Sequence, residues 1–430
     1  MRKTVLGLAL AAACIALGAA AFAAEPADLA ETLRLALMLG CADANWTPAQ
    51  MAAQVPGAIS ARRESIPPRG PPSGTKWTFA LSNGGQVLLE SYMRGGRILT
   101  LLAEYDEPRP RGPRPLLAAV AGDGCFLASV RRLIYDESGH AVAVELLDAR
   151  MEPTGRRELL DADPPSGRDP GGVTVAQVDT GVNYLLAEIA AHLARDAAGR
   201  PLGYDYWEMD ARPFDRHPIA SPFFPERHGT KTASVLLREA PQTRLIPYRY
   251  PRPDMSRFAA LVDDAAAKGA AILMLSLGSE DREEWQGFAA AARRHPEMLI
   301  VVSAGNDGRD LDQKPVFPAA LELANKITVT SADPATGRPA RDANWGARAV
   351  DLAVPGENIR VINYTGEEER VSGSSYAAPR VAALAARLLL AHPGWHAPEL
   401  EAAIFARAKA VMVDGKPLLR HGAILNPLTP

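Results

Sequence analysis

Five short apolar runs constrain the fold more than any other feature of this chain. They are "VTVAQV" (173–178), "TRLIPY" (243–248), "AAILMLSL" (270–277), "MLIVVSA" (298–304) and "KITVTS" (326–331). Helical stretches separate some of them. In 254–268, Phe258, Leu261, Val262 and Ala265 fall on one face, with Asp254 and Ser256 available as caps. A second helix is expected over 282–294. Apolar strands alternating with helices predict an α/β domain, with a mostly parallel sheet covered on both faces. In such sheets functional groups collect beyond the carboxyl ends of the strands.

The residues before 161 differ. Leu29, Leu33 and Leu37 predict a helix over 27–41. "IPPRGPPSG" (66–74) breaks it from the strand-like runs "KWTFAL" and "QVLLESYM", which Ser82-Asn83-Gly84-Gly85 joins as a hairpin. "RILTLLAEY", "CFLASVRRLIY" and "AVAVELLDA" continue the β character. We read 25–160 as a small α+β domain and "DADPPSGRDPGG" (161–172) as a linker. A second domain follows over 173–410, with 411–430 as a C-terminal extension.

At the start, Arg2 and Lys3 precede an apolar stretch from Val5 to Phe22, and Ala21-Phe22-Ala23 resembles a cleavage site. This is the pattern of a signal peptide over 1–23, so the protein is expected to be exported, to a periplasm or beyond the cell. Lipid attachment at Cys14 is the lesser alternative. No later stretch reaches roughly 18 uninterrupted apolar residues, so no membrane span is expected in the mature chain. The net charge of −3 carries no basic field that calls for nucleic acid. Cys41 and Cys125 would survive cleavage. An oxidising compartment favours a disulfide between them, against two separate buried thiols.

Four positions in the second domain suggest chemistry. Asp179 follows the strand "VTVAQV", where a carboxylate is costly unless paired. His228, in "ERHGTKTAS", stands at a helix start; the other seven histidines, His217 among them, read as loop or surface groups. Asn306 ends "MLIVVSA" in "SAGNDG", a turn by composition whose amide can also donate to a developing oxyanion. Ser372, Ser374 and Ser375 crowd before the helix former "YAAPRVAALAARLLLA", where free amides and the helix dipole favour negative charge. Pro379 predicts a bend or a shifted start in that helix.

Together these occur in the order Asp, His, Asn, Ser. Residues 173–410 resemble a subtilisin-like serine protease domain. "VDTGV", "HGTKTAS", "SAGNDG" and "GSSYAAP" are similar to its aspartate, histidine, oxyanion and serine motifs, and "GYDYWEMDARPFD", "LMLSLGS" and "VDLAVPGENI" also fit. The resemblance implies a doubly wound sheet and an endopeptidase with Asp179, His228 and Ser375 as triad. It implies Asn306 as oxyanion donor. It implies Ser276, Leu277 and Gly278 as one wall of a substrate pocket, with Ala304 and Gly305 opposite and Asp307 at the rim favouring a basic side chain. The substrate would be a protein or peptide. The chain departs from the family pattern at Lys231, Ser374, Tyr376 and Ala378. A non-catalytic peptide-binding relative and an esterase with the same triad are the alternatives. Residues 25–160 could be a propeptide; a disulfide there favours a retained domain. Relatives often bind Ca²⁺ in loops, but the acids of "DARPFD" and "DGRDLD" match no metal-ligand spacing and read as solvated, so no metal site or other cofactor is assigned. Oligomeric state is open.

Overall fold

A computed structural model describes residues 26–42, 46–66, 73–94, 97–217 and 221–428. The expected signal peptide, 1–23, lies outside them. The chain forms two compact units. One takes in the chain up to Arg132 together with Glu145–Arg156; the other takes in Leu133–Val144 and Arg157–Pro430. This division differs from the expected domain of 25–160, because 133–144 and 157–160 group with the later residues.

The first unit opens with helix α1 (Pro26–Cys41) and the short α2 (Pro48–Ala52). Strands β1 (Ala58–Ile66), β2 (Ser73–Leu81), β3 (Gln86–Arg94), β4 (Arg97–Glu107) and β5 (Arg114–Ala121) follow, and the same sheet continues through β6 (Leu127–Tyr135), β7 (Ala141–Leu147) and β8 (Pro153–Leu159), whose residues are divided between the two units. Each lies beside its neighbour in sequence, and β1 to β6 pair antiparallel. Period-two alternation places Trp77, Phe79 and Leu81 of β2 and Val87 and Leu89 of β3 on one covered face. Leu33, Ala36 and Leu37 of α1 join the same core. Cys41, at the end of α1, is disulfide-bonded to Cys125, 84 positions later in the sequence, with Cα atoms 6.1 Å apart.

In the second unit the strands are β9 (Val173–Asp179), β10 (Tyr204–Asp205), β11 (Thr243–Arg249), β12 (Ile272–Leu275), β13 (Leu299–Ser303), β14 (Lys326–Ala332) and β15 (Leu352–Pro355). A hairpin, β16 (Ile359–Ile362) with β17 (Glu368–Val371), and a second, β18 (Met412–Val413) with β19 (Lys416–Pro417), precede β20 (Gly422–Ala423). The helices are α3 (Ala187–Ala190), α4 (Gly229–Glu239), α5 (Phe258–Ala267), α6 (Gln286–Arg294), α7 (Ser374–Ala391) and α8 (Ala397–Phe405). The sheet order is β10-β11-β9-β12-β13-β14-β15-β20, with every pair parallel. Residues 411–430, expected as an extension, thus supply the edge strand β20.

Both faces of this sheet are buried, which is why its strands read as continuous apolar runs. Ile272 and Met274, Leu299 and Val301 point into one core with Leu236 of α4, Val381 and Leu384 of α7 and Leu400 of α8. Leu273 and Leu275, Ile300 and Val302 point into the other, with Leu261 of α5 and Phe288 of α6. The chain leaves β9 for β11 on one side and returns to β12 on the other. The carboxyl ends of β9 and β12 therefore flank the point where winding reverses, with β13 next to them, the place where open α/β sheets leave a crevice. Among the described residues no helix is long and apolar enough to cross a membrane.

Candidate active site

Asp179 closes β9 and its side chain is almost wholly buried. Both carboxylate oxygens are engaged, as a charge in that position requires. Oδ1 accepts from the Thr180 N–H at 2.7 Å and lies 2.7 Å from Nδ1 of His228; Oδ2 accepts from Thr232 Oγ1 at 2.9 Å. His228 occupies the N-cap position of α4. Glycines let its loop come so close. A Cβ on Gly229 would stand 1.9 Å from the Gly181 carbonyl oxygen, and Gly181 itself, at φ +93°, lies where a Cβ would meet the Pro213 and Phe214 carbonyls at 2.5 Å. Burial is the largest single influence on the His228 imidazole and pulls its pKa down. The Asp179 charge and hydrogen bond, with smaller pushes from Glu226 and Asp215, outweigh burial, so the ring titrates above its ordinary range.

Asp215 corrects the reading of 210–215 as solvated acids. Its side chain is fully buried. It accepts hydrogen bonds from Thr180 Oγ1 at 2.6 Å, from the Thr230 N–H at 2.9 Å, from Thr230 Oγ1 and, more weakly, from the His228 N–H at 3.3 Å. Thr180 Oγ1 in turn accepts from the Gly229 N–H at 2.9 Å. One carboxylate thus ties the loop after Asp179 to the first turn of α4. Burial pushes the Asp215 carboxyl up, and these hydrogen bonds offset part of the rise. In Asp215→Asn only one oxygen remains to accept, and an amide N–H₂ would face hydroxyl and backbone donors. The variant should lose about 3 kcal/mol of stability in denaturant unfolding, from buried donors left unsatisfied at roughly 1–3 kcal/mol each. Its residual activity should show a lowered kcat and an acid limb shifted to lower pH, which loss of fold alone would not produce.

The three serines separate by role. Ser372 Oγ accepts from the Asn358 N–H at 3.0 Å, and the buried Ser374 Oγ accepts from the Gly305 N–H at 3.0 Å. Ser375, the second residue of α7, lines a cavity of about 510 Å³ together with Asp179, His228, Asn306 and Ser276–Gly278. Oδ1 of Asn306 accepts from the Ser374 N–H at 2.8 Å, which leaves its amide N–H₂ as the group able to donate elsewhere. Helix α7 starts at Ser374 and continues through Pro379, so its start is not shifted to the proline. Proline has no N–H for the carbonyl four residues back, that of Ser375. Ser276 Oγ donates to that oxygen at 3.4 Å instead.

Ala304 and Gly305 are not among the residues lining this cavity. Ala304 is buried and Gly305 is held to Ser374. Asp307 is ion-paired with Arg309 at 3.3 Å and does not line the cavity either. Lys231, on α4, pairs with Glu369 of β17, and the Tyr376 ring centroid lies 5.9 Å from that of His228. Sequence reasoning missed Thr180, Thr232, Asp215 and Glu226 and set His217 aside as a surface group; His217 and Glu226 both line the cavity. The available signal was proximity: Glu226 stands two residues before His228, and Thr180 follows Asp179.

Residues 171–423 match the subtilase family, Peptidase S8. The match covers more than half of the chain, and the protein belongs to that family. It is 30% identical over 259 residues to the thermophilic serine proteinase of Bacillus sp. strain AK1, covering 57% of this chain and 58% of that protein. It is 29% identical over 262 residues to alkaline serine exoprotease A of Vibrio alginolyticus, covering 58% of this chain and 44% of that one. With halolysin of Haloferax mediterranei the identity is 28% over 234 residues, 51% of this chain and 42% of halolysin. The chain thus spans about half the length of these relatives. A crystal structure of a cold-adapted subtilisin-like serine proteinase aligns at 24% identity and a TM-score of 0.48, over 60% of this chain and 90% of that one.

Proposed function

We propose that this protein is an exported serine endopeptidase. Ser375 attacks the peptide carbonyl, His228 takes its proton, and Asp179 orients the imidazole and stabilises the imidazolium. The single observation that carries the reading is the 2.7 Å contact between Asp179 Oδ1 and His228 Nδ1, in the lining of a cavity that Ser375 and Asn306 also line. With Nδ1 committed to the carboxylate, Nε2 is the nitrogen left to act as base. The Asn306 amide and the Ser375 N–H, at the unpaired start of α7, supply donors for the oxyanion. The acyl-enzyme then yields to water, with His228 as base again. Export rests on the basic and apolar N-terminal pattern. Retention of 25–160 in the mature protein belongs to the same proposal and is supported by its own core and disulfide.

The base must be neutral to accept a proton. Because the His228 pKa is raised, kcat/KM for a peptide should fall as pH drops through a midpoint above the ordinary imidazole value of 6.5. Removing the Asp179 charge in Asp179→Asn should move that midpoint down as well as slow turnover. A profile of kcat/KM from pH 5 to 9 tests both. A midpoint at or below 6.5 in wild type contradicts the arrangement, and absence of any peptide cleavage by the folded mature protein contradicts the function.

A further inference from the structure

The cavity carries a charge that the mechanism does not use. Among the described residues, four ionisable groups line it besides the His228–Asp179 pair and Tyr376: Glu226, Arg252, His217 and Tyr250. Arg252 is neutralised, because its guanidinium meets both carboxylate oxygens of Glu284, at 2.9 and 3.2 Å. Burial lowers the His217 pKa, which favours the neutral ring, and burial raises those of Tyr250 and Tyr376, which keeps both phenols protonated. Glu226 is exposed, and its carboxylate makes no hydrogen bond or ion pair with the described residues. Its backbone carbonyl accepts from the His217 N–H at 3.1 Å, which fixes it beside that residue. The His217 ring packs 5.7 Å from Tyr250, and both rings share the cavity lining with Glu226.

Aromatic faces and an unpaired carboxylate in one cavity suit a side chain with a long aliphatic stem and a cationic tip. We propose that Glu226 is a specificity residue that selects substrates carrying a lysine or arginine beside the scissile bond. The inference rests on the peptide-cleaving reading above and names the substrate class for it. Asp307, the residue that sequence alone suggests for this task, is already paired with Arg309. Because Glu226 is exposed, solvent screens the attraction, and the expected preference is roughly fivefold to tenfold.

The test uses the full-length mature protein and peptides that differ only in Lys, Gln or Glu at each position flanking one cleaved bond. Each is assayed at pH 8 and low salt. At one position wild type should cleave the Lys peptide roughly fivefold to tenfold faster in kcat/KM than the Gln peptide. Glu226→Gln should bring that ratio to about one, and Glu226→Lys should favour the Glu peptide. Circular dichroism confirms that each variant is folded. A wild-type ratio near one at every position, or a ratio kept in Glu226→Gln, overturns the proposal and leaves the protease reading standing. Binding of the same peptides to Ser375→Ala, by fluorescence anisotropy, separates the reverse case. If wild type cleaves nothing while Ser375→Ala binds the Lys peptide in preference, and Ser375→Ala with Glu226→Gln does not, the protease reading falls and charge recognition stands. No cleavage together with no preferential binding overturns both.

Discussion

Ser375→Ala should lower kcat/KM for peptides on the order of 10⁵-fold or more, a size that belongs to subtilisin itself. The neighbouring serines should behave differently, and the contrast is the informative part. Ser372 Oγ caps the Asn358 N–H on an exposed turn, so Ser372→Ala should cost only a few fold. Ser374 Oγ holds the Gly305 N–H, one residue before the oxyanion donor. Ser374→Ala leaves that part-buried donor without its partner, at about 1 kcal/mol, and should reduce kcat by about tenfold through displacement of Asn306. Initial rates on one fluorogenic peptide, with equal folding shown by circular dichroism, give all three values. A Ser375→Ala protein retaining more than about one per cent of wild-type rate would remove Ser375 as nucleophile.

The second large effect belongs to Asn306. Removing an oxyanion donor of this kind costs about 10²–10³-fold in kcat, again the magnitude known for subtilisin. Asn306→Ala does two things in this chain, because the same side chain accepts the Ser374 N–H at 2.8 Å. It withdraws the donor from the cavity and uncaps the first turn of α7. Asn306→Asp keeps an acceptor for Ser374 while replacing the donor with a negatively charged oxygen. Both variants should lose kcat by about 10²-fold or more with KM nearly unchanged, since the interaction develops only in the transition state. Only Asn306→Ala should also lower the unfolding temperature. Near-wild-type kcat in Asn306→Asp would show that the amide does not donate to the oxyanion.

Local pattern carried much of the second unit. The runs at 173–178, 243–248, 298–304 and 326–331 appear as β9, β11, β13 and β14, because strands buried on both faces must be apolar throughout. Asp179 and Asn306 stood out because polar groups follow such runs only with a reason. What remained hidden depends on tertiary contact. Asp215 sits in an acidic loop that looks solvated, and only the approach of Thr180, 35 residues earlier, and Thr230, 15 later, makes it a buried acceptor. The partner of the Ser375 carbonyl that Pro379 leaves unserved is Ser276, 99 residues earlier in the sequence. β20 is two residues long and has no periodicity to read; its place beside β15 is set by packing. Glu226 was hidden for another reason: a lone carboxylate in a loop acquires meaning only when its neighbours' charges are known to be paired.

The central claim is that Asp179, His228 and Ser375 act at one point. An active-site-directed fluorophosphonate, followed by peptide mapping with mass spectrometry, tests it most directly. The account predicts a single covalent adduct on Ser375, none on Ser372 or Ser374, and loss of labelling in His228→Ala at pH 8. Folded wild-type protein that takes up no label, or that carries it on another residue, contradicts the account.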